Sequence, residues 1–197
     1  MKKTNSMKTK DIALLGLFTA IIVVLQLMSY GFTAMFAFPF SLVLIPIVLG
    51  GYLYGVSAGA ILGAAFGVIV TICCITGLDK GGYILMSANP FITTAICVIK
   101  GAAAGALSAL VAKAFKKTRP TLAILLAAMT APIVNTGLFI LGTLTFFKDI
   151  LNEWAGGTDL ALYVITGLVG INFVFEFALN VIAAPCIRRA EDAIKKV

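Results

Sequence analysis

The chain contains no histidine and little charge. Only 12% of its 197 residues are Asp, Glu, Lys or Arg, and there is a single tryptophan. Without histidine there is no Cys/His metal cluster, no HExxH and no Ser-His pair. No Walker motif occurs, so the chain itself carries no site for ATP hydrolysis. The four cysteines (Cys73, Cys74, Cys97 and Cys186) form no CxxC and sit in apolar runs, where thiols act as small apolar filler. Apolar residues make up 61% of the chain and mean hydropathy is +1.09. A soluble chain is about one quarter charged, enough to clothe its core. Here lipid must solvate much of the surface. The composition therefore implies one membrane domain over residues 1–197, with no room for an attached nucleotide-binding or catalytic module.

The net charge of +7 is no nucleic-acid signal, because twelve of the fifteen basic residues fall in three short segments. These hold Lys2, Lys3, Lys8 and Lys10; then Lys113, Lys116, Lys117 and Arg119; then Arg188, Arg189, Lys195 and Lys196. A helix needs about 20 apolar residues to cross the hydrocarbon. The apolar runs predict helices over 11–29, 41–54, 56–76, 90–115, 120–147 and 160–187. Asp11 would cap the first and Pro90 would open the fourth. Residues 30–40, with Phe32, Phe36, Phe38 and Pro39, read as an aromatic, turn-rich link. Residues 77–89 and 148–159 read as polar loops. Fusing 41–76 would leave five spans, but six put all three basic clusters on one side, as the positive-inside rule requires. The expected fold is an all-α membrane protein, a six-transmembrane-helix bundle with both termini cytoplasmic. The first helix is too long for a signal peptide and has no A-x-A site after it, so it reads as retained.

Small residues recur every four positions at Gly59, Gly63 and Gly67, and at Gly101 and Gly105, as close helix packing requires. Ala13, Gly16 and Ala20 form a similar stripe on the first helix, for packing or for a partner protein. Two ionisable residues lie inside spans, Lys100 and Glu176. Such residues pair with each other or line a polar site. Asn172, Glu176 and Asn180 share one face of the last helix, and Asn135 follows Pro132, which is expected to kink the fifth. Together with Lys100 they suggest a polar pocket among the last three helices. Its alternative is hydrogen bonding that locks the bundle. Tyr83, Trp154, Phe32 and Phe36 are either interfacial anchors or lids.

Several segments together resemble the substrate-binding S-components of energy-coupling factor (ECF) vitamin transporters. They run from the basic N-terminus into Ala13-Leu-Leu-Gly-Leu-Phe-Thr-Ala20, then Phe40-Ser-Leu-Val-Leu-Ile-Pro-Ile-Val-Leu-Gly50. Gly55-Val-Ser-Ala-Gly-Ala-Ile-Leu-Gly63-Ala-Ala-Phe-Gly67 follows, then Asn89-Pro-Phe, Ile99-Lys-Gly101-Ala-Ala-Ala-Gly105 and Pro132-Ile-Val-Asn-Thr-Gly137. The resemblance implies a six-helix bundle in the bacterial plasma membrane that holds one small nutrient near its outer side. It implies partners too: a transmembrane coupling protein and two ATPase subunits that consume ATP, so this chain needs no cofactor of its own. The family's AxxxA docking pattern would fall at Gly16 and Ala20, with Gly in place of Ala. Substrate-binding candidates are Tyr83, Asn89, Lys100, Asn135, Trp154, Asn172 and Glu176. Lys100 and the asparagines suit a carboxylate with hydroxyl or amide groups, and pantothenate fits that description. The competing expectations are a self-sufficient transporter with Glu176 as its proton-coupled group and, last, a membrane enzyme with Glu176 or Asp79 as base.

Overall fold

The computed structural model describes residues 9–36 and 41–194, with side chains over 12–33, 41–168, 170 and 172–189. Lys2, Lys3, Lys8, Phe38, Pro39, Lys195 and Lys196 lie outside the described residues, and so do the side chains of Lys10, Asp11 and Phe36.

The described residues are helical almost throughout. The elements are α1 (Thr9–Phe36), α2 (Leu44–Tyr54), α3 (Val56–Ile75), α4 (Lys80–Ala88), α5 (Pro90–Phe115), α6 (Pro120–Phe146), α7 (Lys148–Ala155), α8 (Leu160–Tyr163) and α9 (Gly170–Ile194). A π-helical segment, Val164–Val169, joins α8 to α9. Lipid leaves the backbone no other partners, so each long segment satisfies its own amides. The hydroxyls behave likewise: Thr71 donates to Gly67 O at 2.9 Å and Thr143 to Phe139 O at 2.8 Å, within their own helices. Helix starts are set by polar caps. Asp79, Asn89 and Asp159 accept from the amides of Gly82, Ile92 and Leu162, at 2.8, 3.1 and 3.0 Å.

Four helices are long and apolar enough to cross a membrane: Ile12–Thr33 within α1, then α3, α5 and α6. Leu160–Leu168 and Asn172–Arg189, bent by 46° to each other, pass the same test together and form either a broken fifth span or a re-entrant loop. That break corrects the expectation of one straight helix over 160–187. It falls at Gly170, whose φ of +23° no ordinary helix contains. Helix α2 has 11 residues, about 16 Å at 1.5 Å per residue. It spans about half of the hydrocarbon by itself, so the described residues hold four crossings, or five if the bent pair is one span, and the expected sixth is not shown among them. Helix α1 also runs on to Phe36, where a turn-rich link is expected, and already includes Thr9 and Lys10, before Asp11. The two supposed loops each contain a short helix, α4 and α7. Helix α6 continues unbroken through Pro132.

The tightest contact in the bundle joins α3 to α5. A Cβ built on Gly59 would strike the carbonyl of Gly105, one on Gly63 the carbonyl of Gly101, and one on Gly67 the carbonyl of Cys97. These pairings run in opposite directions along the two helices, so α3 and α5 are antiparallel and touch through their backbones. The recurrent glycines are thus used for internal packing. Helix α2 fits against the same seam: a Cβ on Gly51 would lie 2.9 Å from Ala109 Cβ and 3.3 Å from Gly59 Cα. Gly55 (φ +95°) is the single residue linking α2 to α3.

Two contacts mark one end of the bundle. The rings of Phe18 and Tyr54 lie 6.4 Å apart, and Lys116 Nζ donates to Tyr52 O at 2.6 Å while sitting 4.0 Å from that tyrosine's ring centroid. The first half of α1, the α2–α3 link and the basic α5–α6 turn therefore share this end, to which α9 also returns with Arg188 and Arg189. The opposite end carries Asp79 and Trp154.

The glycine seam yields a prediction of opposite signs. Gly63→Ala should destabilise the chain by about 1–3 kcal/mol through overpacking. Gly16→Ala, where nothing lies within 4 Å of the added carbon, should be neutral or stabilising by up to about 1 kcal/mol. Melting temperatures in detergent measure both.

Candidate functional site

Away from the basic end the bundle opens into a cavity of about 730 Å³, within the size range of small-molecule sites. Its walls follow from the helix placements. Helix α5 contributes Thr93, Ile96, Cys97 and Lys100, and α6 contributes Asn135, Thr136 and Phe139. Helix α9 adds Asn172, Phe173 and Glu176; α7 adds Trp154. The expected pocket among the last three helices is only part of it. Phe66, Val70 and Cys74 of α3, the segment from Leu78 to Gly82, Ser41, and a stripe on α1 complete the wall. Cys74 and Cys97 are buried in the apolar core, as expected, and also border the cavity.

Lys100 is the eleventh residue of α5, roughly 15 Å from the helix start by the rise per residue. That is too deep for its ammonium to reach the interface easily. Its Nζ lies 4.9 Å from the Phe139 ring centroid, a cation–π contact. Glu176 lines the same cavity and is 6% exposed. No direct ion-pair contact joins the two among the described residues, but the Lys100 charge acts on the Glu176 carboxyl, which also hydrogen-bonds Ser41. Asn135 is 7% exposed, and its Oδ1 is buried with no hydrogen-bond partner.

Five of the seven candidates read from the sequence therefore meet around one cavity: Lys100, Asn135, Trp154, Asn172 and Glu176. The other two do not line it. Tyr83 is 51% exposed on α4, and Asn89 caps α5. Asn180 shares the face of Glu176 but lies outside the cavity, fully buried, donating from Nδ2 to Glu176 O at 2.8 Å. Ala13, Gly16 and Ala20 lie on the exposed side of α1. The α1 stripe of Gln26, Ser29, Tyr30 and Thr33 escapes a reading that ends the helix at residue 29. Its signal is polar residues spaced three and four apart in an apolar span.

Asp79 ties this wall together. Its Oδ1 caps α4 and its Oδ2 accepts from Tyr30 Oη at 3.2 Å. One carboxylate thereby holds the end of α1 to the α4 segment. Among the described residues no group of three or more Cys, Asp or Glu is placed to hold a metal ion. The cavity instead offers an ammonium, a carboxyl group and amides to an organic solute.

Over nearly its whole length the chain is similar to a protein named pantothenic acid transporter PanT from Lactococcus lactis subsp. cremoris. The two are 27% identical over 197 residues, covering 95% of this chain and 94% of that protein. No family model and no solved structure matches the chain.

Asp79→Ala should destabilise the chain by about 1–2 kcal/mol, chiefly through the lost helix cap. Tyr30→Phe should cost about 1 kcal/mol, the net worth of one hydrogen bond. Because Asp79 serves both contacts, adding Tyr30→Phe to Asp79→Ala should cost less than the two single effects combined. Thermal melts of the three variants measure this.

Proposed function

We propose that this chain is the substrate-binding subunit, or S-component, of an ECF-type importer, and that it captures a water-soluble vitamin, with pantothenate favoured. The observation that carries the reading is Lys100, a deep ammonium that faces a 730 Å³ cavity and makes no direct ion pair among the described residues. Holding a charge at that depth is costly, and the Glu176 carboxyl offsets it only without direct contact. A solute carboxylate on Lys100 offsets it directly, and the amides beside it suit a substrate with hydroxyl or amide groups. Pantothenate has a carboxylate, a secondary amide and two hydroxyls, and the similar protein from Lactococcus is named for that vitamin.

On this reading α2 is the sixth helix of the bundle, short and shielded by its neighbours. The basic end faces the cytoplasm of a bacterial plasma membrane, with both termini there, and the cavity opens outward. A coupling protein and two ATPases, encoded elsewhere, use ATP to drive uptake. The chain itself binds no cofactor and catalyses no covalent step. Ala13, Gly16 and Ala20 supply the docking face for the coupling protein.

A second reading rests on Glu176. A buried carboxyl group in the cavity suits a self-sufficient transporter coupled to protons. Reconstitution separates the two. As a binding subunit, the purified chain binds pantothenate, and its single tryptophan, Trp154, reports this by a change in emission. Lys100→Met weakens binding by about 30-fold or more, as expected for loss of a buried charged contact. Ala20→Trp leaves binding intact and abolishes cellular uptake. Pantothenate uptake into liposomes by this chain alone, driven by a pH gradient, would overturn the first reading in favour of the second.

A further inference from the structure

Helix α1 is the least buried of the four long spans, and most of its surface is lipid-compatible. Its second half nevertheless carries Gln26, Ser29, Tyr30 and Thr33 at i, i+3, i+4 and i+7. That spacing sets them on one face, and all four line the cavity. Two of them are satisfied by the protein: Thr33 Oγ1 donates to Ser29 O at 2.9 Å, and Tyr30 Oη donates to Asp79. Gln26 is satisfied only in part: its side chain hydrogen-bonds Tyr30, but it is 6% exposed and its Oε1 is buried with no hydrogen-bond partner. A buried amide oxygen without a partner is rare in a folded protein and calls for an explanation. Asn135 of α6 presents a second such oxygen to the same cavity. Two unpartnered amide oxygens on different helices, together with the ammonium of Lys100, form a matched set for one solute.

We infer that Gln26 is a substrate contact and sets specificity. With Asn135 it engages the hydroxyl or amide groups of a solute whose carboxylate lies on Lys100. The inference rests on the vitamin-binding reading above and deepens it. Carboxylates without hydroxyl or amide groups leave both amide oxygens dry and unpaired, so the site rejects them. Helix α1 thereby becomes part of the binding site, joined to the cavity by its substrate as well as by the Tyr30–Asp79 bond.

The test titrates pantothenate and hexanoate, an acid lacking hydroxyl and amide groups, into the purified full chain and follows Trp154 emission. The unmodified chain should prefer pantothenate by about 100-fold or more, as a site built around hydroxyl and amide groups does. Gln26→Met keeps the side chain's length and suits an apolar helix. It should weaken pantothenate binding about 10-fold or more, as an unmade buried hydrogen bond does, and tighten hexanoate binding, because no amide oxygen at that position is then left dry. A second arm needs no substitution: the Gln26 side-chain amide resonance should shift with pantothenate and stay in place with hexanoate. Undiminished pantothenate binding by Gln26→Met would overturn the inference. So would an equal loss of both ligands in that variant, or a Gln26 resonance indifferent to pantothenate. If the unmodified chain binds neither pantothenate nor any other vitamin, the vitamin-binding reading fails first and this inference falls with it.

Discussion

Backbone contact between α3 and α5 is the constraint on which the rest of the bundle depends. Gly59, Gly63 and Gly67 face Gly105, Gly101 and Cys97 with no side chain between them. Hydrophobic attraction does not hold helices together in lipid, since the tails are as apolar as the side chains. Close dispersion contact does much of that work instead. The seam also fixes where space remains. Toward the basic end, α2 fills the groove through Gly51 and the buried Ile47 and Val48. Toward the other end α2 has stopped, and the helices enclose the cavity.

Polar groups divide into two populations. Most are satisfied locally: threonine hydroxyls turn back on their own helices, and Asp79, Asn89 and Asp159 cap the starts of three others. Others converge on the cavity. Lys100 has the Phe139 face and the Glu176 carboxyl near it, and Asn135 and Gln26 each keep a buried oxygen without a partner. Asn180 Oδ1 is a further such oxygen, outside the cavity. The two on the cavity wall are informative because a solute can reach them, and sequences break local rules mainly where function requires it. Solute capture and the rigid glycine seam are then complementary. One part of the bundle is closed by its own backbone, and the other is left for a ligand to complete.

The long spans were legible because punctuation and hydropathy agree. Val56–Ile75, Pro90–Phe115 and Pro120–Phe146 fall within a residue of the expected helices, since prolines and a glycine mark their starts. Lys100, Asn135 and Glu176 stood out as polar residues inside apolar runs. Three features were hidden for physical reasons. Helices α4 and α7 are 9 and 8 residues long, too short to register as apolar runs. The bend at Gly170 is a tertiary choice, made in a segment that could also run straight. The polar face of α1 crosses residue 30, where aromatic residues suggest a link although the helix runs on. Asn89 and Tyr83 were plausible on residue type alone. The fold assigns one to a cap and leaves the other outside the cavity wall.

The central claim is that Lys100 holds the carboxylate of a captured solute. A distance measurement by solid-state NMR tests it most directly, between ¹⁵N-labelled lysine side chains and the ¹³C-labelled carboxylate of pantothenate, on the purified chain in lipid. A charge-assisted hydrogen bond of about 2.8 Å places that carbon roughly 3.5–4 Å from one lysine nitrogen. The account predicts one such dipolar coupling, absent from Lys100→Met. Bound pantothenate with no lysine coupling, or with one that survives that substitution, would contradict it.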